Sequence, residues 1–361
     1  MSSVAETSIV EVRAEPWNIA LTEPFGIATG AQAVAANVLV TVRLSDRTVG
    51  YGEAAPFPAV NGETQEQALA AIRAVTPALV GTDAARWRRV AAQLREGAEA
   101  SPSARAGVEM AVLDALTRHA GMSLLSFFGG AEDTLETDIT VVTGSPEHAR
   151  DAARRATQDG FRTLKVKVGG APLAHDVERL RAIVEAAPDT RLVLDANGSL
   201  TADEAVELVS HIGAERVALF EQPTPAKDLE GLRSVRRRTR VLVAADESAR
   251  SAADVAELAT HRAADVVNVK ITKCGITEAM DIVAAARGYR LGLMIGGMVE
   301  TPLAMTVSAC LAAGSGGFDF VDLDTPLFMK DLPTQGGWEQ TGPRIRLSSI
   351  LAGHGVTPLE R

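Results

Sequence analysis

The amino-acid sequence predicts an α/β fold, a barrel of eight parallel strands that alternate with helices, preceded by a separate α+β domain. Beyond residue 136, short apolar runs of strand length alternate with amphipathic stretches of helical period. Charged residues that end these runs lie 24 to 28 positions apart, about one strand-helix unit. A chain of 361 residues is also long for one hydrophobic core, which favours about two domains.

The first 130 residues have a different pattern, typical of a small α+β domain. Antiparallel strands are predicted at 9–21, 37–44 and 48–53, and helices near 64–79, 83–95 and 104–120. No lysine or arginine lies between Arg13 and Arg43, and the stretch 24–30 is apolar and contains glycine. We expect 24–30 to be a loop that lies over the mouth of the barrel.

The barrel is expected to cover 131–325, and residues 326–361 are expected to pack back on the first domain. Its strands are predicted at 138–142, 163–168, 191–194, 217–220, 241–244, 265–269, 291–295 and 319–323. Helix starts are predicted at Ser145-Pro146 and at two possible capping boxes, Thr201 with Glu204 and Ser251 with Asp254. In such barrels the active site lies at the C-terminal ends of the strands.

Composition and charge exclude several classes of protein. The net charge of -10 argues against a nucleic-acid surface, and no run approaches the roughly 20 apolar residues that span a bilayer. With only Cys274 and Cys310, neither a disulfide framework nor a cysteine zinc cluster is implied. Because the N-terminus lacks the pattern of a signal peptide, a cytoplasmic location is expected. The expected binding partner is a small-molecule substrate.

Three carboxylates end three consecutive predicted strands: Asp195, Glu221 and Asp246. Converging carboxylates repel one another unless a cation joins them, and oxygen ligands favour a hard ion, so Mg²⁺ is predicted, with Mn²⁺ as an alternative. Asn197 and Glu247 are predicted to support these ligands from behind. The alternative, that each carboxylate only caps the following helix, is weak for three in succession.

Lysine is scarce in this chain, six residues against thirty arginines, and three of the six end apolar strands. Lys165 and Lys167 lie on the second barrel strand and Lys270 on the sixth, so the two sets face each other across the mouth. The adjacent pair predicts a lowered lysine pKa and hence a base near neutral pH. With a metal to stabilise an enediolate, lysines on opposite faces can invert a carbon next to a carboxylate. A structural ion pair is the alternative, and Lys273 is expected to be solvated at the surface.

These residues resemble the enolase superfamily, in its muconate-lactonizing subgroup. Lys165-Val-Lys167 matches the second-strand lysine pair of the family, the three carboxylates match its magnesium ligands, and Lys270 matches its sixth-strand lysine. The resemblance implies a modified TIM barrel of the (β/α)7β type, with the first domain as a capping domain and 22–30 as a specificity loop. Because the subgroup includes epimerases, racemases, cycloisomerases and a dehydratase, it does not by itself fix the reaction.

The eighth strand resembles one family of the subgroup more closely. Asp322-Leu-Asp324 looks like the Asp-x-Asp signature of the dipeptide epimerases, in which the pair binds the free α-ammonium of the substrate. Two acids spaced by two on a strand point the same way and can form such an anionic clamp. Two acids that cap a surface loop are the alternative. The resemblance implies further substrate contacts at Gly30, Thr140, Gly297 and Met298.

The resemblance therefore implies an isomerase that epimerises the C-terminal residue of an L,L-dipeptide through a two-lysine proton transfer. Family members that act on Ala-Glu place an arginine where this chain has Gly30, so a neutral or apolar second residue is expected, although Glu23 could favour a basic one. Alternatives are a succinylbenzoate synthase-like lyase, an acylamino acid racemase, a cycloisomerase, or a catalytically inactive barrel. A homo-oligomer is expected, as is usual in the family.

Overall fold

The computed structural model describes residues 5–28 and 30–359, and it begins with a three-stranded antiparallel sheet. The strands are β1 (Ile9–Ile27), β2 (Gly30–Leu44) and β3 (Val49–Ala54), in the order β1-β2-β3. The expectation of a loop at 24–30 was wrong, because Phe25, Gly26 and Ile27 pair with the start of β2 as the end of a long hairpin. Within that stretch, Thr29 lies outside the described residues.

Five helices follow this sheet in the chain. They are α1 (Pro58–Asn61), α2 (Gln65–Leu79), α3 (Trp87–Gly97), α4 (Pro102–His119) and α5 (Leu124–Phe127). Helix α4 is buried along most of its length and packs directly on β3. Gly50 and Gly52 of β3 permit this approach, because a Cβ at either position would collide with the backbone of α4.

The barrel sheet begins after a short strand, β4 (Thr134–Glu136). Its strands are β5 (Ile139–Val141), β6 (Thr163–Lys167), β7 (Arg191–Asp195), β8 (Val217–Glu221), β9 (Val243–Ala245), β10 (Val266–Val269), β11 (Gly292–Ile295) and β12 (Phe320–Val321). All eight are parallel and pair in sequence order. The main-chain N–H of Asp138 donates to the carbonyl of Val321 at 2.9 Å, which joins the first strand to the last. The predicted barrel is confirmed.

Helices on the outside connect these strands. They are α6 (Pro146–Gln158), α7 (Leu173–Ala186), α8 (Ala202–Ile212), α9 (Leu229–Thr239), α10 (Ala252–His261), α11 (Ile271–Cys274), α12 (Ile276–Tyr289) and α13 (Pro302–Ser315). Ser145 caps α6, and Thr201 with Glu204 forms the predicted capping box of α8. Ser251 caps α10, but the Asp254 carboxylate accepts from the main-chain N–H of Arg250, so the second predicted box is not closed.

The chain after the eighth barrel strand contains a short 3-10 helix, Thr325–Phe328, and four short strands. These are β13 (Thr334–Gly336), β14 (Glu339–Thr341), β15 (Arg344–Arg346) and β16 (Val356–Pro358). Strand β13 pairs with β16, and β15 pairs with both β14 and β4. Main-chain hydrogen bonds also join Lys330 to Ala20 at 2.8 Å and Leu124 to Gly353 at 2.7 Å. None of the helices that the structure describes is long and apolar enough to cross a membrane.

Candidate active site

Strand register brings the predicted site residues to one rim of the barrel. Lys167 pairs with Asp195 and Asp195 pairs with Glu221, so three neighbouring strands end side by side. Asp246 and Lys270 follow the ends of the next two strands. All five side chains are at most 5% exposed, and they therefore form a buried cluster of charges at the carboxyl ends of the strands.

The two lysines expected to face each other are each ion-paired to a carboxylate. Nζ of Lys167 donates to Oδ2 of Asp195 at 2.6 Å, and Nζ of Lys270 donates to Oδ2 of Asp246 at 2.7 Å. Burial disfavours the charged form of Lys270, but Asp246 and Glu221 outweigh it and raise the pKa of this lysine above its ordinary value. Both lysines border one cavity, together with Lys165.

The ammonium group of Lys165 lies between Asp322 of the eighth strand and the carboxylates Asp195 and Glu221. Its Nζ is 2.6 Å from Asp322 Oδ2, 2.7 Å from Glu221 Oε2 and 3.0 Å from Asp195 Oδ2. Burial opposes the charged form, but these three carboxylates raise the pKa of Lys165 well above its ordinary value. For Lys165 the expectation of a lowered pKa was wrong, because that expectation considered the neighbouring lysine and not the carboxylates around it.

The expectation of a solvated Lys273 was also wrong. This side chain is 9% exposed, and its Nζ donates to Oδ1 of Asp246 at 2.5 Å. It also donates to the main-chain carbonyls of Asp246 at 2.7 Å and Asn268 at 3.0 Å. The one-turn helix α11 explains the error, since it turns the Lys273 side chain back toward Asp246 and Asn268.

The Asp-x-Asp pair of the eighth strand is buried, which contradicts the alternative of two acids on a surface loop. Asp322 is 7% exposed, and Asp324, at 0%, accepts a hydrogen bond from the main-chain N–H of Thr140 at 2.5 Å. Burial and the neighbouring Asp322 raise the pKa of Asp324 to about 7. All three residues border the same cavity as the lysines.

Asp138 is a third carboxylate in this region that the sequence did not single out. One oxygen from each of Asp138, Asp322 and Asp324 lies within 4.8 Å of the other two. Burial, followed by the charges of Asp322 and Asp324, raises the pKa of Asp138 well above its ordinary value. Its place at the start of the first barrel strand was the available signal, because the first and last strands of a closed barrel are neighbours.

Apolar side chains complete the cavity on the side of the capping domain. They are Phe25, Ile27, Phe57 and Val60, and Gly297 and Met298 of the barrel border the same cavity. The described lining does not include Gly30, which is exposed at the start of β2 next to Ala59. Glu23 also lies outside this lining, with its carboxylate 3.7 Å from His148.

Asn197 and Glu247 lie next to the metal-ligand candidates. Asn197 donates from Nδ2 to Oε1 of Glu247 at 3.3 Å, and its main-chain N–H donates to Oδ1 of Asp195 at 3.0 Å. Burial and the adjacent Asp246 raise the pKa of Glu247 to about 7. Among the described residues, Oδ1 of Asn197 and Oε2 of Glu247 are buried without a hydrogen-bond partner. This surplus of oxygen acceptors beside three carboxylates fits a hard divalent cation.

Comparison with known proteins places the chain in a family. Residues 8–129 match the family model "Mandelate racemase / muconate lactonizing enzyme, N-terminal domain", and residues 147–361 match "Enolase C-terminal domain-like". An aromatic dipeptide epimerase of Herpetosiphon aurantiacus is 50% identical over 352 residues, which cover 97% of this chain and 99% of that protein. The chain belongs to the dipeptide epimerase family of the enolase superfamily. The resemblance inferred from the sequence motifs is confirmed, and the chain is an isomerase.

Other members of the dipeptide epimerase family differ in the substrates they are named for. An L-Ala-D/L-Glu epimerase of Thermotoga maritima is 37% identical over 341 residues, 94% of this chain and 98% of that protein. The crystal structure of a dipeptide epimerase of Enterococcus faecalis, complexed with Mg and L-Leu-L-Tyr, superposes with a TM-score of 0.93 at 32% identity. That match covers 97% of this chain and 99% of the other. The family therefore includes both acidic and apolar substrate preferences.

Proposed function

We propose that this enzyme epimerises the C-terminal residue of an L,L-dipeptide, with Mg²⁺ as cofactor and Lys167 and Lys270 as the two bases. One observation carries the proposal. The two lysines border a single buried cavity that also contains the aspartate pair Asp322 and Asp324. They come from the second and sixth of eight barrel strands, which lie on opposite sides of the ring. A substrate α-carbon held between them can lose a proton on one face and gain one on the other.

The proposed metal ligands are Asp195, Glu221 and Asp246, an all-oxygen set at the ends of three consecutive strands. When bound, the metal withdraws charge from the substrate carboxylate and makes the neighbouring C–H more acidic. The Enterococcus faecalis relative was crystallised with Mg, which supports this choice of ion. Asn197 and Glu247 are proposed to support the ligands from behind.

The two lysines are proposed to start each turnover in different protonation states, one as a neutral amine and the other as an ammonium. In one direction the neutral amine of Lys167 takes the α-proton and the ammonium of Lys270 returns a proton to the opposite face, or the reverse. Each Nζ keeps a carboxylate partner, Asp195 at 2.6 Å and Asp246 at 2.7 Å, that holds the amine in place. Lys165 is proposed to stay charged and to stabilise the negative charge that develops on the substrate carboxylate.

Asp322 and Asp324 are proposed to bind the α-ammonium of the dipeptide. The contact of Thr140 with Asp324 orients this carboxylate, and burial strengthens a charge-assisted hydrogen bond to an ammonium group. The lyase, cycloisomerase and acylamino acid racemase alternatives act on acids without a free ammonium group, so they have no use for the pair.

Replacement of both Asp322 and Asp324 by Asn tests this assignment. We expect dipeptide turnover to fall by at least about a hundredfold, because a charge-assisted contact is lost at a buried site. Turnover of carboxylated non-peptide acids, assayed in parallel, serves as the comparison. If dipeptide turnover survives the double substitution, the assignment of the pair is wrong.

The second residue of the dipeptide is proposed to be neutral or apolar. The side chains that border the cavity on the capping-domain side are Phe25, Ile27, Phe57 and Val60, which offer apolar contact and no charge. The relative from Herpetosiphon aurantiacus, an aromatic dipeptide epimerase, has a matching preference. The basic alternative is weaker, because Glu23 lies outside the described lining.

We also propose a division of the chain into two domains and a C-terminal segment. We take residues 1–130 as the capping domain that supplies the apolar wall, 131–325 as the barrel that supplies the charged residues, and 326–361 as a segment that packs back on the capping domain. The expected homo-oligomer remains a prediction. A catalytically inactive barrel is disfavoured, since binding alone gives no reason for lysines on opposite sides of one cavity.

Incubation with Mg²⁺ and a mixed library of L,L-dipeptides in D₂O tests the proposed reaction. We expect mass spectrometry to show peptides that gain one mass unit at the second residue, and apolar or aromatic second residues to exchange fastest. Omission of the metal with a chelator is the control and should abolish the exchange. Absence of exchange in every peptide, with Mg²⁺ shown to be bound, would favour the lyase alternative.

A further inference from the structure

Each of the three proposed metal ligands has one oxygen held by the protein scaffold and the other beside a cavity lysine. The main-chain N–H of Asn197 donates to Oδ1 of Asp195 at 3.0 Å, which leaves Oδ2 facing the lysines. Nδ2 of Asn268 donates to Oε1 of Glu221 at 2.7 Å, whereas Oε2 lies 2.7 Å from Lys165. Lys270 is farther from this carboxylate, 3.8 Å from Oε1. The third carboxylate, Asp246, is divided in the same way. Its scaffold contact comes from Lys273, which does not border the cavity.

Lys273 holds the third carboxylate with all of its donors in use. Its three hydrogen bonds go to Oδ1 and the main-chain carbonyl of Asp246 and to the main-chain carbonyl of Asn268. A lysine ammonium has three donors and no acceptor, so none is left for a substrate. Oδ2 of Asp246 faces Lys270 instead, at 2.7 Å. Lys273 therefore fixes the rotation of the Asp246 carboxylate from behind.

The local fold explains why a lysine can reach this position. Helix α11 is a single turn that begins directly after the sixth barrel strand, and the main-chain N–H of Lys273 donates to the carbonyl of Lys270 at 3.0 Å. Gly275, at φ 91°, ends the turn. Two lysines three residues apart thus serve different purposes, since Lys270 borders the cavity and Lys273 supports its wall.

We propose that Lys273 and Asn268 are positioning residues that make Asp246 and Glu221 each bind the divalent cation through one oxygen, and so select Mg²⁺ over Ca²⁺. This inference rests on the proposed function, which assigns the metal site. Mg²⁺ demands a near-ideal octahedron of single oxygens, whereas Ca²⁺ takes six to eight ligands and often binds a carboxylate through both oxygens. A scaffold hydrogen bond to one oxygen fixes the rotation of the carboxylate and favours binding of the cation through the other oxygen.

Calorimetric titration of Mg²⁺ and of Ca²⁺ into purified protein tests the inference without substrate. The variants are Lys273→Met and Asn268→Ala, and Lys330→Met, which removes an exposed lysine of the C-terminal segment, is the matched control. We expect Mg²⁺ affinity to fall about 10- to 100-fold in both site variants, as is typical when a partner of a metal ligand is removed. Ca²⁺ affinity should fall less, so the preference for Mg²⁺ over Ca²⁺ narrows.

Three results would separate the possibilities. If the wild-type protein does not bind Mg²⁺, the proposed function itself fails. If it binds Mg²⁺ and both variants keep the wild-type affinities, only the positioning inference is overturned. If the affinities for both ions fall equally, the residues support the fold and not selectivity. Melting temperatures without metal report whether each variant folds. If Lys273→Met does not fold, the titrations of Asn268→Ala test the inference.

Discussion

At the scale of single residues, the site depends on the different surroundings of four buried lysines. Lys165 is surrounded by carboxylates that favour its charged form. Lys273 uses all three of its donors in hydrogen bonds to Asp246 and Asn268. Lys167 and Lys270 each combine one hydrogen-bonded carboxylate with a place at the cavity, which is the arrangement that proton transfer to a substrate needs. The same type of side chain thus has three kinds of surroundings within one site.

Replacement of either cavity lysine should stop epimerisation but leave half of the exchange chemistry. In Lys167→Ala or Lys270→Ala we expect epimerisation to fall about 10²- to 10⁴-fold, the usual contribution of a positioned acid or base. Each variant should still exchange the α-hydrogen of one epimer with deuterium, and the two variants should differ in which one. Mass spectrometry with L,L- and L,D-dipeptides in D₂O measures this.

The exposed Lys227 provides the control for that experiment, since Lys227→Ala removes a lysine without touching the cavity lining. Loss of exchange for both epimers in each variant would contradict the assignment of one lysine to each face. Such a result would mean that the two lysines act as one unit.

Residue spacing could predict part of this site. Asp195, Glu221 and Asp246 were found because each directly ends a barrel strand, so strand alternation fixes where they point. Lys273 and Asp138 were missed for physical reasons. The first is turned inward by a one-turn helix, and the second meets its partners only because strands far apart in sequence close the ring.

At the scale of elements, the β1–β2 hairpin supplies part of the apolar wall of the cavity. Ile27, the last residue of β1, is 6% exposed and borders the cavity. The ring of Phe25 packs edge-on against that of Phe328, with centroids 5.5 Å apart. The strand pairing past Pro24 could not be predicted, because the register is irregular between Ala20 and Phe25 and a proline in the segment favours a loop.

Introduction of a cation on this wall should change which dipeptides are accepted. In Ile27→Arg we expect kcat/KM for dipeptides with an aromatic second residue to fall at least about tenfold, because an apolar contact is replaced by a charge. Dipeptides that end in glutamate should gain, since the guanidinium can pair with their side chain. Deuterium exchange across a dipeptide library measures both changes.

Val34 provides the matched control for this substitution. It lies on the same hairpin, on β2, and is 42% exposed, so Val34→Arg adds the same charge at the surface. That variant should keep the wild-type preference. An Ile27→Arg enzyme that still favours aromatic residues would show that the second side chain does not contact this wall.

At the scale of the whole molecule, buried polar contacts join the capping domain to the barrel. The carboxylate of Glu53, 0% exposed, accepts from the main-chain N–H of Thr301 at 3.0 Å and from its hydroxyl at 2.6 Å, at the start of α13. Nδ2 of Asn37 donates to Glu53 at 2.6 Å and to the carbonyl of Val299 at 2.9 Å. The contacts with Thr301 and Val299 join residues 248 and 262 positions apart, so local sequence patterns could not predict them. The strand-helix alternation is local and could be predicted.

His354 makes a second connection of this kind, between the C-terminal segment and the capping domain. It is 0% exposed, its Nε2 lies 3.0 Å from the carbonyl of Tyr51, and its Nδ1 accepts from the main-chain N–H of Val356 at 3.1 Å. One ring nitrogen therefore donates while the other accepts, which is the pattern of a neutral imidazole. Burial lowers the pKa of His354 and outweighs the nearby Asp114.

This lowered pKa predicts that mild acid weakens the fold through His354. The unfolded chain has a histidine pKa of about 6.5, so below that pH the unfolded state binds a proton that the folded state does not, and stability is lost as pH falls. The contribution should approach a slope of at most about 1.4 kcal/mol per pH unit. Urea unfolding from pH 7.5 to 5.5 measures it as the difference between the wild-type protein and His354→Gln.

The variant should be less stable than the wild-type protein at pH 7.5, because it loses the contacts of the neutral ring. The gap should then narrow on acidification, because the variant has no proton to take up at this position. His261→Gln, at an exposed histidine at the end of α10, is the control and should show the same pH dependence as the wild-type protein. A gap that stays constant as pH falls would mean that the fold does not lower the pKa of His354. A gap that widens would mean that the fold raises this pKa, and that a charged pair with Asp114 holds the C-terminal segment.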